Sequence, residues 1–316
     1  MADMPGMPTY QGPTIAGGTA MNRMGFRPEL FVEGLNQVFG LGVETVESRI
    51  SQAYHQMTSQ KAFEQMLSMA GIGYFERLNE GQPVHYQQIE SRYKSTFYHL
   101  DYATGLRFTK RVKRDLLYFQ IDEAASQFGM AAAATREVLA ANLFNTGDTV
   151  VWNAEENLPL FHAAHPLSQR SVDLSTYGNL IAADPDYTSL QDGILLMDQT
   201  VNDMSYQMHL KSQVLLFHSS KQFLVDKWMN SPGEWWNANN AKNTLRGRLT
   251  PVMWDYLDPD IMLIRGNTFR TYWFDRDPLD TASDEDFDTG DTKYKASFSC
   301  SNGASDWRGW VMIKGS

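Results

Sequence analysis

The stretch that most constrains the fold runs from Asp115 to about Leu143. Apolar or small residues recur there at Leu117, Ile121, Ala124, Phe128, Ala131, Thr135 and Val138, and Asn142 closes the row. The steps alternate between four and three, the repeat of one helix face. This spacing predicts a single helix of about eight turns, roughly 40 Å long. Asp122, Glu123, Arg136 and Glu137 are available for its wet side, and Thr135 is its weakest member because β-branching slightly disfavours helix. Asn145-Thr146-Gly147 stops it. Four consecutive alanines, Ala131 to Ala134, let another backbone approach closely.

Before this helix, residues 1–28 are rich in Gly, Pro, Met and Thr and read as an extended or disordered arm. From Pro28 to Ala70 the pattern is helical, first at Phe31, Leu35, Phe39 and Leu41, then Val43, Val46 and Ile50, and later Phe63, Met66 and Met69. Over residues 71–110, β-branched and aromatic residues alternate with polar ones, as in Arg92-Tyr93-Lys94-Ser95-Thr96-Phe97-Tyr98. That predicts long strands exposed on both faces, a ribbon that is marginal alone in water and needs a neighbouring chain.

After the helix, residues 148–187 read as a long loop. A second helix is predicted from Ser189 to about Met204, with Leu190, Ile194, Met197 and Val201 on one face. Val214 to Phe217 reads as a buried strand and Ser220 to Met229 as a short helix carrying Phe223, Leu224 and Trp228. Further strands are predicted at Val252 to Tyr256, Ile261 to Ile264 and Thr271 to Phe274. An acidic linker, Asp275 to Asp291, precedes a final strand pair, Tyr294 to Phe298 and Trp307 to Ile313, joined at Ser301-Asn302-Gly303. The order is α+β without βαβ alternation.

Composition narrows the function classes. The chain has 316 residues, enough for one large domain or two intimate ones. Its 37 acidic against 27 basic residues give a net charge of −10, which argues against direct nucleic-acid binding. One cysteine, Cys300, excludes an intrachain disulfide and a cysteine-built zinc site and fits synthesis in a reducing cytoplasm. No secretory signal and no membrane-spanning run is expected. The 8 Trp and 16 Met are generous counts that suit self-association.

No constellation reads as catalytic, and no cofactor is expected. His162 and His165, with Glu155, Glu156 and Asp173 nearby, are the one candidate metal set, but Pro166 breaks the helix such a pair would use, and loop packing is the better reading. Gly71-Ile72-Gly73 lacks the third glycine of a dinucleotide fingerprint. Cys300 has no visible base, and the acidic run Asp284 to Asp291 lacks the ligand order of a calcium loop, so it reads as solvated. The basic cluster Arg107, Lys110, Arg111, Lys113 and Arg114 reads either as a partner for an acidic patch on a neighbouring subunit or as solvated surface. With Tyr86, Arg92 and Tyr93 of the ribbon, it makes up the candidate intersubunit contacts.

The ordered set of segments resembles a known family. It comprises Asp101-Tyr102-Ala103-Thr104-Gly105-Leu106-Arg107-Phe108-Thr109, the helix end at Leu143 to Gly147, Leu160 to Leu167 with Asn179-Leu180, and Val214 to Phe217. Asn239 to Gly247, Thr250-Pro251 with a Trp254 to Leu257 strand, and Asp306-Trp307-Arg308-Gly309-Trp310 complete it. Across residues 65–316 it is similar to the HK97-like major capsid proteins, in detail to the major head subunits of Mu-like and related tailed bacteriophages. The resemblance implies an N-terminal arm and helices over 1–70, an extended β-ribbon loop over 71–110, and a peripheral domain with spine helix over 111–187. An α/β apical domain over 188–265 and a return to the peripheral β-sheet over 266–316 would follow. It implies a non-enzymatic subunit, located in the virion after assembly in the host cytoplasm. Hexamers and pentamers of it would form an icosahedral head enclosing double-stranded DNA, with itself, scaffolding, portal and decoration proteins as partners. No scaffold-sized N-terminal extension is present, which implies a separate scaffolding protein or none. An encapsulin-like nanocompartment shell is the first alternative, and a metal-dependent hydrolase using His162 and His165 the second.

Overall fold

The computed structural model describes residues 28–315 except 70, 72, 88–90, 116–117, 154–156, 167–175, 205 and 234–241; the arm expected before Pro28 lies outside them. Helix α1 (Pro28–Thr45) and the single turn α2 (Ile50–Ala53) lead into β1 (His55–Thr58) and β2 (Phe63–Met69). After an exposed segment come β3 (Ser91–Tyr98), β4 (Leu100–Phe108), the short α3 (Lys110–Arg114) and the long α4 (Tyr118–Asn145). Five short strands follow: β5 (Val151–Asn153), β6 (Leu158–Pro159), β7 (His165–Pro166), β8 (Thr176–Tyr177) and β9 (Leu180–Ala182). The remainder is α5 (Tyr187–Asp198), β10 (Ser212–Phe217), α6 (Gln222–Asn230), β11 (Thr250–Met253), β12 (Ile261–Gly266), β13 (Thr271–Glu285), β14 (Thr292–Ala304) and β15 (Trp310–Lys314).

Helix α4, 28 residues long, is the spine. Its first half joins a small core of Leu35, Phe39, Phe108, Ile121, Ala125, Phe128 and Tyr294. Its second half buries Ala140, Ala141, Leu143 and Phe144 in the main core. The buried face is therefore not the row read from sequence. Ile121 and Phe128 are buried, but Ala131, Thr135, Val138 and Asn142 are exposed. A strict four-three alternation repeats every 3.5 residues and slips by ~20° per heptad against a straight 3.6-residue helix. The true face follows Ile121, Ala125, Phe128, Ala132, Arg136 and Ala140 to Phe144.

That rotation brings two charged residues inward, where a wet side was expected. Glu137 is 2% exposed; it accepts from Trp254 Nε1 at 2.9 Å and from the Arg49 backbone N–H at 3.2 Å. Arg136 pairs with Asp275 at 2.7 Å and lies over the Trp273 and Phe298 rings. Glu137 is hydrogen-bonded through its carboxylate, whereas Arg136 is held by the Asp275 pair and the two rings, with its Nε left without a partner. With a partner removed, either group becomes costly.

Two sheets pack around the spine. The five-stranded sheet has the order β11-β10-β12-β15-β9. Both its faces are buried, because alternate residues enter different cores: Val214, Leu216, Leu263 and Met312 face the spine side. Leu215, Phe217, Met262, Ile264, Val311 and Ile313 face α5 and α6. The continuous apolar runs at 214–217 and 261–264 follow from this two-sided burial. Helix α5 starts on an Asp186–Ser189 capping box and ends at Asp198, short of the expected Met204; Leu190, Ile194, Met197 and Val201 are all buried.

The second sheet, β1-β13-β14-β4, and the separate β2–β3 ladder correct three expectations. Phe63, Met66 and Met69 lie on strand β2, not helix, paired to β3. The supposed acidic linker is mostly strand: β13 runs through Glu285 and pairs with β14 down to Glu285↔Thr292. Ser301-Asn302-Gly303 is not a turn, because β14 continues through it, and β15 belongs to the other sheet. Asn302 is held inside by bonds from its Nδ2 to Leu139 O at 3.0 Å and Tyr54 Oη at 3.3 Å. The strand expected over Trp254 to Leu257 ends at Met253, and the loop expected over 148–187 is stapled by the β5–β6 and β7–β8 ladders and by β9 on β15.

These faces predict opposite outcomes for two substitutions on the spine. Phe144, fully buried against Tyr54, Phe161, Trp254 and Trp310, is expected to lose ~3–5 kcal/mol on Phe144→Ala. Val138, 50% exposed, is expected to lose under ~0.5 kcal/mol on Val138→Ala. Urea denaturation of the soluble subunit reads both, and equal losses would contradict the assigned face.

Candidate intersubunit surfaces

The expected ribbon is real but displaced. Its paired strands are β2 and β3, joined in register from Phe63↔Tyr98 to Met69↔Ser91, while β4 leaves to pair with β14. One face of the ribbon turns to its own chain, where Phe97 meets Phe274 with ring centroids 5.3 Å apart. The other face carries Phe63, Leu67 and Tyr98, all exposed.

Between the strands, the described part of 71–87 contains no strand. Tyr74, Phe75, Leu78, Val84 and Tyr86 are exposed along it, Phe75 to 97% and Tyr86 to 85%. The root of this loop touches the turn after α5: Tyr74 meets Tyr206 edge-on at 5.0 Å. Gln87 bridges across the loop, accepting from Gly73 N–H at 2.9 Å. So many large apolar side chains on one projecting segment are unusual for a free-standing protein and mark an interaction surface.

Of the candidate contacts, Tyr86 is the clearest. The side chains of Arg92, Tyr93, Lys113 and Arg114 lie outside the described residues. Arg107 finds an acid in its own chain: its Nη2 lies 2.7 Å from Asp291, whose other oxygen takes the Lys110 N–H at 3.0 Å. Arg111 pairs with Asp115 at 3.6 Å. Arg107 and Arg111 thus each have an acid within their own chain while staying largely exposed.

The acids of 284–291 form the capped tip of the β13–β14 hairpin. Gly290, at φ +68°, makes the turn, and its N–H reaches Asp286 O at 2.7 Å. Lys293, followed by the Thr289 N–H, holds the Asp286 carboxyl down at about 2. The Lys110 N–H and then Arg107 lower that of Asp291. At the apex Phe287 is fully exposed. Sequence reasoning missed it, although one aromatic inside a run of acids was the available signal. Phe223 on α6 is likewise exposed, while Val225, Trp228 and Met229 hold that helix to the sheet.

The remaining candidates are structural. His165 is fully buried, stacks on Trp307 at 4.5 Å and bonds through Nε2 to Asn179 Oδ1 at 3.1 Å. His162 Nδ1 takes the Ala164 N–H at 3.1 Å. Glu155, Glu156 and Asp173 lie outside the described residues, and among the described residues no three His, Cys, Asp or Glu side chains could hold a metal ion. Burial pushes the Cys300 thiol up to about 12. Among the described residues, no helix is long and apolar enough to cross a membrane.

A family model described as phage capsid protein matches residues 95–313, from the ribbon through the spine to β15. The capsid of the cyanophage P-SCSP1u is similar in structure, with TM-score 0.58 and 10% identity over 85% of this chain and 89% of that one. A structure from Mycobacterium phage Patience gives 0.55 and 12% over 93% and 90%. The virus-like particle of Pyrococcus furiosus gives 0.54 and 9% over 90% and 99%. A search of curated proteins finds no match.

Two chemical tests follow from the electrostatics. The depressed carboxyl of Asp286 helps hold the tip at neutral pH, above the ordinary carboxylate value of ~4. That help is lost as pH falls through about 2. Protection of the 286–291 amides relative to their intrinsic exchange at each pH is therefore expected to fall over that window, and in Asp286→Asn already at neutral pH; a tip indifferent to both contradicts the assignment. Cys300 is expected to resist alkylation in the folded chain and react once denaturant is added, and rapid labelling of the native chain would show that its strand is not closed.

Proposed function

The chain belongs to the phage capsid protein family and is a structural shell subunit of HK97-like fold, and on that premise we propose that it builds the head of a tailed bacteriophage as hexamers and pentamers enclosing double-stranded DNA. The observation that carries this reading is the projecting 71–87 segment, whose Phe75 and Tyr86 are almost wholly exposed in the single chain. Such a segment is costly for a monomer, and is accounted for when it lies across an identical neighbour.

In this reading, the arm and helices run up to β1, and the extended loop is the β2–β3 ribbon with the segment between its strands, residues 63–98. Residues 111–187 form the peripheral domain with the spine, 188–265 the apical domain, and 266–304 the return to the peripheral sheet, with β15 added to the apical sheet. The net charge of −10 suits a wall that encloses DNA without adhering to it. Scaffolding, portal and decoration proteins are the further partners, and assembly takes place in the host cytoplasm. In this reading the subunit is a structural, non-enzymatic one, in keeping with a histidine pair engaged in packing and a buried thiol. A relationship to the Mu-like heads in particular rests on the sequence segments quoted above. An encapsulin-like compartment would share the fold and differ in contents.

Electron microscopy of the chain expressed alone, with sizing of the soluble fraction, tests the proposal. Closed shells or tubes, empty or holding nucleic acid, are the expected result. Shells packed with a protein cargo would favour the compartment. A compact monomer with stoichiometric metal would overturn the shell reading and redirect attention to His162 and His165.

A further inference from the structure

The ribbon is tied to its own sheet at two short crossings. Residues 59–62 separate β2 from β1, and His99 alone separates β3 from β4; β1 and β4 both belong to the second sheet. The His99 imidazole touches both crossings and the sheet itself. Its Nε2 lies 3.1 Å from the Ser59 Oγ, and its Nδ1 lies 3.0 Å from the Ser301 Oγ on β14. Ser59 is buried and pinned further, its backbone N–H donating to the Asp275 carbonyl on β13 at 3.0 Å. Its hydroxyl donates to Glu64 Oε1 at 2.8 Å, and Lys61 closes on the same carboxylate at 3.0 Å. One ring therefore joins both strands of the ribbon to the sheet they leave.

The protons of this chain of bonds can be placed. Ser59 gives its hydroxyl proton to Glu64, so His99 Nε2 is the donor to Ser59 and Nδ1 the acceptor from Ser301. That is the neutral ring in a single tautomer. Lys61, and then Ser59, hold the Glu64 carboxyl below its ordinary value, so it stays an acceptor in mild acid. A second proton on the ring removes the acceptor that Ser301 uses. The surroundings oppose that proton as well. Burial, and then Arg276 on β13, lower the proton affinity of His99, outweighing Glu64 on β2, Asp101 on β4 and Asp277 on β13, which raise it. A position that binds a proton less well than water does is weakened by that proton in equal measure. The bonds of the neutral ring are thus fully present above the ordinary imidazole value of ~6.5, and are lost as pH falls through the lower value of the folded chain.

We propose that His99 is a proton-operated lock on the ribbon. Neutral, it fixes the direction in which β2 and β3 leave the sheet. Protonated, it lets go of Ser301 and Ser59 and frees the ribbon to pivot at residues 59–62 and 99. The pairing of β2 with β3, from Phe63↔Tyr98 onward, does not involve the ring, so the ribbon turns as a unit and carries 71–87 with it. The neighbouring contact of Phe97 with Phe274 is apolar and imposes no direction of its own. The lock works within one copy, whether or not the chain builds a shell.

Distances between two spin labels on the full-length soluble subunit read the pivot. Leu67→Cys on the ribbon and Lys295→Cys on β14 put the labels at exposed positions, and the buried Cys300 is expected to stay unlabelled. The distance distribution is expected to be narrow at about pH 8 and to broaden towards about pH 5, on either side of the ordinary imidazole value. In His99→Ala it is expected to be broad throughout and indifferent to pH. Arg276→Gln leaves both crossings intact and removes a charge that opposes the ring's proton, so it is expected to move the broadening to higher pH. A native distribution that stays narrow across the range overturns the lock, as does acid broadening that persists in His99→Ala. Titration of the ring by NMR ties the effect to the residue. Its midpoint is expected below ~6.5 and coincident with the broadening, and a midpoint at or above that value contradicts the lock.

Discussion

Gly42 and Gly129 lie where α1 crosses the spine, and the contact they permit sets the arrangement of everything downstream. A Cβ on Gly42 would strike the Ser126 carbonyl, and one on Gly129 the carbonyl of Phe39. The two helices therefore touch backbone to backbone, which brings Leu35 and Phe39 into one core with Ile121, Phe128 and Tyr294. With α1 occupying the first half of the spine, its second half is left to face the sheets. There the spine needs polar anchors as well as apolar fill. Glu137 ties Trp254 and Arg49 to one carboxylate, and Arg136 ties Asp275 beneath Trp273. The Glu137 carboxylate is satisfied only when Trp254 and Arg49 arrive together, and Arg136 draws in the second sheet through Asp275, so the spine, the N-terminal helices and both sheets lock as one unit.

The parts of this fold that were legible in the sequence are those where one rule dominates. The spine, Leu190 to Met197, and the apolar runs at 214–217 and 261–264 each carry a period or a density of apolar residues that tertiary contacts did not overrule. What was misread fails for identifiable reasons. The four-three row on the spine drifted off its face through the mismatch between 3.5 and 3.6. The acids of 275–285 read as linker because Asp is poorly suited to strands, yet β14 pairs with them and Lys293 stands opposite Asp284. Ser301-Asn302-Gly303 has turn chemistry and is strand because Asn302 is bonded to Leu139 and Tyr54, neither near it in sequence.

The surfaces were legible in part. The alternation of aromatic and polar residues over 92–98 marked one strand of a ribbon, but its partner β2 had read as helix. The basic cluster was visible as charge, but charge alone does not say where the partner lies, and Asp291 lies in the same chain. Phe287 and Phe223 could be named only once burial showed which aromatics the cores leave out.

On the proposed shell reading, identical neighbours cover the apolar surface that this chain exposes over 71–87. Hydrogen exchange of the free subunit against assembled particles tests that claim most directly. Amides in 71–87 are predicted to exchange rapidly in the free subunit and slow on assembly, while those of the spine at Ala140 to Phe144 stay protected throughout. Intact particles in which 71–87 exchanges as fast as in the free subunit would contradict it.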